Sequence, residues 1–183
     1  MTIIIGYIDT INNTIYMGGD SCVSQNTSTY VMKDQKVFQK DEFLIGSGGK
    51  LRMSNILKYQ FEPPTHPKNM SIEQYMNSLF INKLHKCFCD LDFDKTNEDK
   101  NGFDGVILIG YRGHLFEIDC QYGVFEGIKP YYCIGSGGEI ALGVLIANED
   151  IQNMSIEDKI NQALQITGEN DNSVGPPYYI LKL

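Results

Sequence analysis

Threonine carries a hydroxyl nucleophile, and at the front of a chain it also carries an amine. The sequence opens Met1-Thr2-Ile3-Ile4-Ile5-Gly6. An initiator methionine before a small residue is normally trimmed, and its removal would leave Thr2 with a free α-amine beside its own hydroxyl. Nucleophile and general base then sit on one residue, the arrangement of threonine hydrolases that act through their N-terminus. The other reading of Thr2 is the first residue of a strand. Two glycine-rich segments add a second chemical possibility: Gly46-Ser47-Gly48-Gly49 and Gly135-Ser136-Gly137-Gly138, each between an apolar run and a helical pattern. Backbone N–H groups at such a junction can bind a phosphate or hold an oxyanion. Neither segment has the GxxxxGK[ST] or GxGxxG form of a phosphate loop. Each also reads as a tight strand-to-helix turn.

The remaining reactive side chains are dispersed. Cys22, Cys87, Cys89, Cys120 and Cys133 are odd in number and irregular in spacing, which argues against a disulfide framework and for reduced cysteines filling core space. Cys87 and Cys89 lack the CxxC spacing of a zinc or redox pair. His66, His85 and His114 stand far apart with no partner at ligand spacing, so a histidine-based metal enzyme is not expected.

The elements that must position Thr2 can be read from periodicity. Thr2–Ile8 is apolar and β-branched, a strand; Asn12-Asn13 is a turn; Thr14–Gly18 returns. Lys36–Gln39 and Glu42–Gly46 form a second hairpin about Lys40-Asp41. A helix starts at the Ser47-Gly48-Gly49 glycines and carries Leu51, Met53, Ile56, Leu57 and Phe61. Pro63, Pro64 and Pro67 break the chain. Ser71-Ile72-Glu73-Gln74 is a capping box, followed by Tyr75, Met76, Leu79, Phe80 and Leu84 at helical spacing. Asp90–Asn101 reads as a loop. Val106–Tyr111 and His114–Asp119 form a hairpin across Arg112-Gly113, and Tyr131–Gly135 is another strand. A short helix opens at Ser136-Gly137-Gly138, a longer one at Ser155, and Tyr178–Leu183 closes as a strand. Strands, two helices, strands, two helices, strand is not the alternation of a doubly wound sheet. It predicts an α+β layered sandwich of antiparallel sheets in a single domain, 1–183.

Composition narrows the function. The chain has 183 residues, 42% hydrophobic and 21% charged, enough for a sizeable core. Its formal net charge of −8 argues against non-specific nucleic-acid binding and against docking to an anionic membrane. No run approaches the roughly 18 apolar residues that span a bilayer, and no secretory signal is expected.

Five segments together resemble proteasome β-type subunits and, most closely, HslV-like N-terminal-nucleophile hydrolases. They are Thr2-Ile3-Ile4-Ile5-Gly6, Gly18-Gly19-Asp20-Ser21, Lys36-Val37, Gly46-Ser47-Gly48-Gly49 and Ile134-Gly135-Ser136-Gly137-Gly138. Their order and approximate spacing extend over essentially the whole chain. The resemblance implies a four-layer αββα sandwich with Thr2 as nucleophile. It implies Asp20 and Lys36 as the family's aspartate and lysine. Gly49 most nearly matches the oxyanion glycine, with Gly48 one residue away as alternative. Ser136 matches the serine near the threonine amine, and Asp171 and Ser173 its supporting pair. The chain departs from the family in having Ile3 where a second threonine is usual. Its serine also falls two residues after Asp171 rather than three.

The resemblance further implies a threonine endopeptidase in a cytoplasmic homo-oligomeric ring, acting on polypeptides and fed by an unfolding ATPase. It implies no required cofactor, but a monovalent cation on the backbone carbonyls of Gly168, Asp171 and Val174. The alternatives are a non-catalytic ring subunit that retains Met1, and a small-molecule amidase on the same fold.

Overall fold

The computed structural model describes residues 2–25, 28–94 and 102–183. Two antiparallel sheets form its centre. In the first, β1 (Ile4–Asp9) and β2 (Thr14–Gly19) pair as a hairpin, flanked by β10 (Tyr131–Ile134) and β11 (Tyr179–Lys182) in the order β10-β1-β2-β11. The second has the order β5-β6-β7-β8-β9: β5 (Val37–Lys40), β6 (Phe43–Gly49), β7 (Gly105–Tyr111), β8 (His114–Ile118) and β9 (Val124–Glu126). A separate ribbon pairs β3 (Cys22–Gln25) with β4 (Ser28–Val31).

The two-residue period of each strand sorts the apolar side chains into three layers. Ile4, Ile15, Met17, Leu44, Leu108 and Leu115 fill the space between the sheets. Ile3, just before β1, and the alternate β1 residues Ile5 and Tyr7 face outward onto α4 (Gly138–Ala147) and α5 (Ile156–Asn170) through Ala141, Leu145, Ile160 and Leu164. On the other side, Phe43, Ile45, Ile107, Ile109 and Tyr111 face the remaining helices. These are α1 (Leu51–Tyr59), α2 (Ile72–Tyr75) and α3 (Ile81–Asp90), the last two joined by a π-helical turn, Met76–Phe80. The result is the αββα sandwich expected from the element order.

Local signals explain most boundaries. The Ser71 hydroxyl accepts from the Gln74 N–H and the Gln74 side chain accepts from the Ser71 N–H, completing the capping box. Ser155 caps α5 by accepting from Asp158 N–H. Arg112 and Gly113 both have positive φ, as a two-residue hairpin turn requires.

The first glycine segment departs from expectation. Gly46-Ser47-Gly48-Gly49 is not a turn but the second half of β6, because it continues the ladder to β7 as far as Gly49 opposite Gly105. The helix begins two residues later, at Leu51. The β3–β4 ribbon and β9 were not anticipated; their sequences are polar and short, with no alternation to mark them. Of the Asp90–Asn101 segment, residues 95–101 lie outside the described residues.

Candidate active site

Thr2 stands two residues before the start of β1 and is itself buried. Its position is fixed by the strand that follows, whose neighbours on both sides are paired, and by the β10–α4 junction. At that junction Gly135 has φ +96, and a Cβ there would strike the Thr2 carbonyl, so only glycine lets the turn approach so closely. The Gly137 N–H donates to the same carbonyl at 3.3 Å.

Two polar clusters meet the chain at Thr2 and Ile3. The Thr2 N–H donates to Ser136 Oγ at 3.3 Å, and Ser136 Oγ lies 3.3 Å from Asp171 Oδ2. The other oxygen of that carboxylate accepts from the Ser173 N–H at 2.9 Å and from the Ser173 hydroxyl. These hydrogen bonds, those from Ser173 foremost, hold the Asp171 carboxyl below the ordinary aspartate range. Ser173 reaches Asp171 although it stands two residues on, since a side chain at that spacing can close a local turn through both its N–H and its hydroxyl.

At Ile3 lies a buried ion pair. Asp20 follows β2, Lys36 precedes β5, and their side chains are 0% and 5% exposed at 2.8 Å separation. Asp20 Oδ1 also accepts from Ile3 N–H at 3.0 Å, and Oδ2 from Cys22 N–H at 2.9 Å. The carboxylate thus bonds the residue next to Thr2 and the ammonium of Lys36 together. Burial pushes the Lys36 ammonium below the usual lysine range, while the Asp20 carboxylate opposes that shift. Ser21, which the sequence did not single out, fastens this corner to the chain end by donating from Oγ to Pro177 O at 2.7 Å.

The glycines of β6 complete the surroundings. A Cβ on Gly48 would lie 3.8 Å from Thr2 Cγ2, so β6 passes directly beside the threonine. The Lys50 N–H donates to Asp104 O, just before β7. Because N–H directions alternate along an antiparallel strand, the Gly49 N–H points off the opposite edge of β6, beyond the start of β5 at Val37. Gly49 has φ +134, and a Cβ there would lie 2.6 Å from Asp104 O, which restricts the position to glycine.

Gly168, Asp171 and Val174 fall at the end of α5 and in the loop after it. Val174 O lies 3.4 Å from where a Gly168 Cβ would stand, so these two meet; the Asp171 carbonyl accepts from Val174 N–H at 3.0 Å. The oxygens suit a hard cation in type, and a Cβ on Gly168 would strike the Tyr178 hydroxyl.

One expectation is corrected. His85 does have partners at ligand spacing: Cys89 one helical turn on, and Asp94 brought back by the turn after α3, with His85 Nε2 3.1 Å and Cys89 Sγ 3.2 Å from Asp94 Oδ2. The i, i+4 spacing of His85 and Cys89 was the available signal; it is legible only once the segment is read as a helix.

No family model matches the chain, and no curated protein matches it. Solved structures do. The chain superposes on the BPH protein of Thiobacillus denitrificans in complex with epoxomicin with a TM-score of 0.81 at 18% identity, covering 100% of this chain and 98% of that one. The match to another structure of Thiobacillus denitrificans BPH gives 0.80 at 19% identity, over 100% and 97% of the two chains. Eukaryotic HslV from Trypanosoma brucei gives 0.70 at 18% identity, over 99% and 98%. The chain has the HslV-type fold. These alignments run end to end, so the fold is shared along the whole length.

Proposed function

We propose that the protein is a threonine-type endopeptidase of a proteasome-like particle, with Thr2 as nucleophile once Met1 is removed. The observation that carries this is the contact of Ser136, backed by Asp171 and Ser173, with the Thr2 nitrogen, together with a buried Asp20–Lys36 pair bonded to the adjoining Ile3 N–H. The fold shared with HslV, and with a protein solved in complex with epoxomicin, supports the same assignment.

In this reading the neutral α-amine of Thr2 accepts the hydroxyl proton as Oγ1 adds to the substrate carbonyl carbon. A free α-amine has an ordinary pKa of about 7.7–8.0. The buried Lys36 ammonium lowers it, because like charges disfavour protonation. Asp20 holds Lys36 in place and, through Ile3 N–H, sets the start of β1. The Gly49 N–H is the oxyanion donor, with Gly48 the alternative; one such donor contributes about 3–4 kcal/mol elsewhere. The ammonium returns its proton to the leaving amine as the peptide C–N bond breaks. Water then adds to the Thr2 ester, and the acid product leaves with Oγ1 reprotonated. Ser136 accepts from the Thr2 nitrogen and is oriented by Asp171.

The particle is a homo-oligomeric ring in the cytoplasm, since an unselective peptidase is safe only when its sites face an enclosed chamber, and an unfolding ATPase supplies polypeptide substrate. No helix among the described residues is long and apolar enough to cross a membrane. A monovalent cation on the carbonyls of Gly168, Asp171 and Val174 would brace the loop that carries Asp171; it enters no step.

The test is hydrolysis of an unstructured fluorogenic peptide. Thr2→Ala reduces cleavage to background while circular dichroism is unchanged, and Thr2→Ser retains part of it. Full activity in Thr2→Ala overturns the assignment.

A further inference from the structure

A second cluster, in the opposite helix layer, has the donor set of a metal site. We propose that His85, Cys89 and Asp94 bind Zn²⁺ at the end of α3. His85 and Cys89 stand one turn apart on the same face of the helix. Their ligand atoms and that of Asp94 all lie within 4.8 Å of one another. His85 Nε2 is 3.1 Å and Cys89 Sγ 3.2 Å from Asp94 Oδ2. Bond lengths to tetrahedral zinc of about 2.0–2.1 Å for nitrogen and oxygen and about 2.3 Å for sulfur require edges of about 3.3 Å (N to O) and about 3.5 Å (S to O). These two edges open by only a few tenths of an ångström to admit the ion, and the His85–Cys89 edge, within 4.8 Å, must come to about 3.5 Å.

The backbone forms this arrangement without metal. The chain leaves α3 through a left-handed residue, Asp92 at φ +53, with Phe93 N–H bonded to Phe88 O and Asp92 N–H to Cys89 O. That is the Schellman closure, and its usual apolar contact is present: Phe93 packs edge-on against Phe88 at 5.1 Å. The closure turns Asp94 back over the helix face that carries His85 and Cys89. Behind it, Tyr122 donates to Asp94 Oδ1 at 3.0 Å and lies edge-on to the His85 ring at 4.6 Å. An outer hydrogen bond to a ligating carboxylate is what orients it toward a metal.

The chemistry selects the ion. One imidazole nitrogen, one thiolate and one carboxylate are a borderline set that suits zinc, whereas Mg²⁺ and Ca²⁺ take oxygen ligands. On binding, the Cys89 thiol gives its proton to solvent and Nε2 of His85 must be the unprotonated nitrogen. Thiolate and carboxylate together neutralise the ion. His85 and Cys89 are exposed, so the fourth position is open to water. Zinc here would clamp the end of α3 to the chain that returns from it, and it shares no residue with the surroundings of Thr2.

The experiment uses the full chain stripped with a chelator, then titrated with Zn²⁺ against a chromophoric competitor. One Zn²⁺ per chain is expected. Cys89→Ser and His85→Ala each weaken binding at least about a hundredfold, Tyr122→Phe weakens it about tenfold, and Cys87→Ser leaves it unchanged. In the unaltered protein, saturating Zn²⁺ slows alkylation of Cys89, followed by peptide mapping. No Zn²⁺ captured from the competitor, affinity indifferent to Cys89→Ser and His85→Ala, or an unchanged alkylation rate at Cys89 each overturns the site.

Discussion

Removing either member of the Asp20–Lys36 pair tests whether it is a buried, shared anchor for the start of β1. Both side chains are nearly inaccessible, 0% and 5% exposed, but they are not equivalent. Asp20→Ala leaves the Lys36 ammonium buried without its carboxylate. It also strips the acceptor from Ile3 N–H and Cys22 N–H. Breaking a buried pair costs about 3–5 kcal/mol, and each buried donor left without a partner about 1–3 kcal/mol. At the lower bounds Asp20→Ala loses about 5 kcal/mol, against a total stability of about 5–15 kcal/mol for a typical domain. Lys36→Met leaves Asp20 its two N–H donors, so its loss is smaller, about 3 kcal/mol. In Asp20→Ala/Lys36→Met neither charge is stranded, and the double variant is more stable than the sum of the single changes by about 1–3 kcal/mol. Urea unfolding of all four proteins at one protein concentration reads these differences as shifts in midpoint at constant slope. The reasoning fails if Lys36→Met is as damaging as Asp20→Ala, or if the single effects simply add.

Gly49→Ala places a methyl 2.6 Å from Asp104 O at φ +134, so it destabilises the protein by about 1–3 kcal/mol and lowers peptide turnover; an unfolding curve indistinguishable from wild type contradicts this. Ser173→Ala removes the foremost cause of the lowered Asp171 pKa. A carboxyl whose native pKa is depressed stabilises the fold above about pH 4 and ceases to do so as pH falls through its native value. The variant therefore shows an Asp171 titration moved upward by NMR, and acid unfolding at higher pH. Light scattering coupled to size exclusion gives a mass of many subunits; an active monomer at micromolar concentration removes the ring.

What could be read in advance divides by physical cause. Strand alternation in Ile3–Tyr7 and in Val106–Tyr111 names both faces of each strand, so the layers follow from periodicity. Capping residues located the helix after Ser71 and the helix after Ser155 because caps act locally. The β6 glycines were misplaced because their conformation is set by β7, some sixty residues later in the chain, and not by neighbours in sequence. Side chains as separate as Asp20 and Lys36, or Ser136 and Asp171, could be named only through resemblance. Their meeting depends on sheet order, which pattern does not encode. The Cys89–Asp94 contact was missed because it depends on a left-handed Asp92, and aspartate marks that conformation far more weakly than glycine does.

The central claim, that Thr2 acts with its own free amine, is tested most directly by mass spectrometry of purified protein before and after epoxomicin. An epoxyketone closes a stable ring only with a residue that offers a hydroxyl and an amine together. The expected result is a mature mass lacking Met1, an increase of one inhibitor per chain, and fragmentation that places the adduct on Thr2. A chain that retains Met1, or an adduct on any other residue, contradicts it.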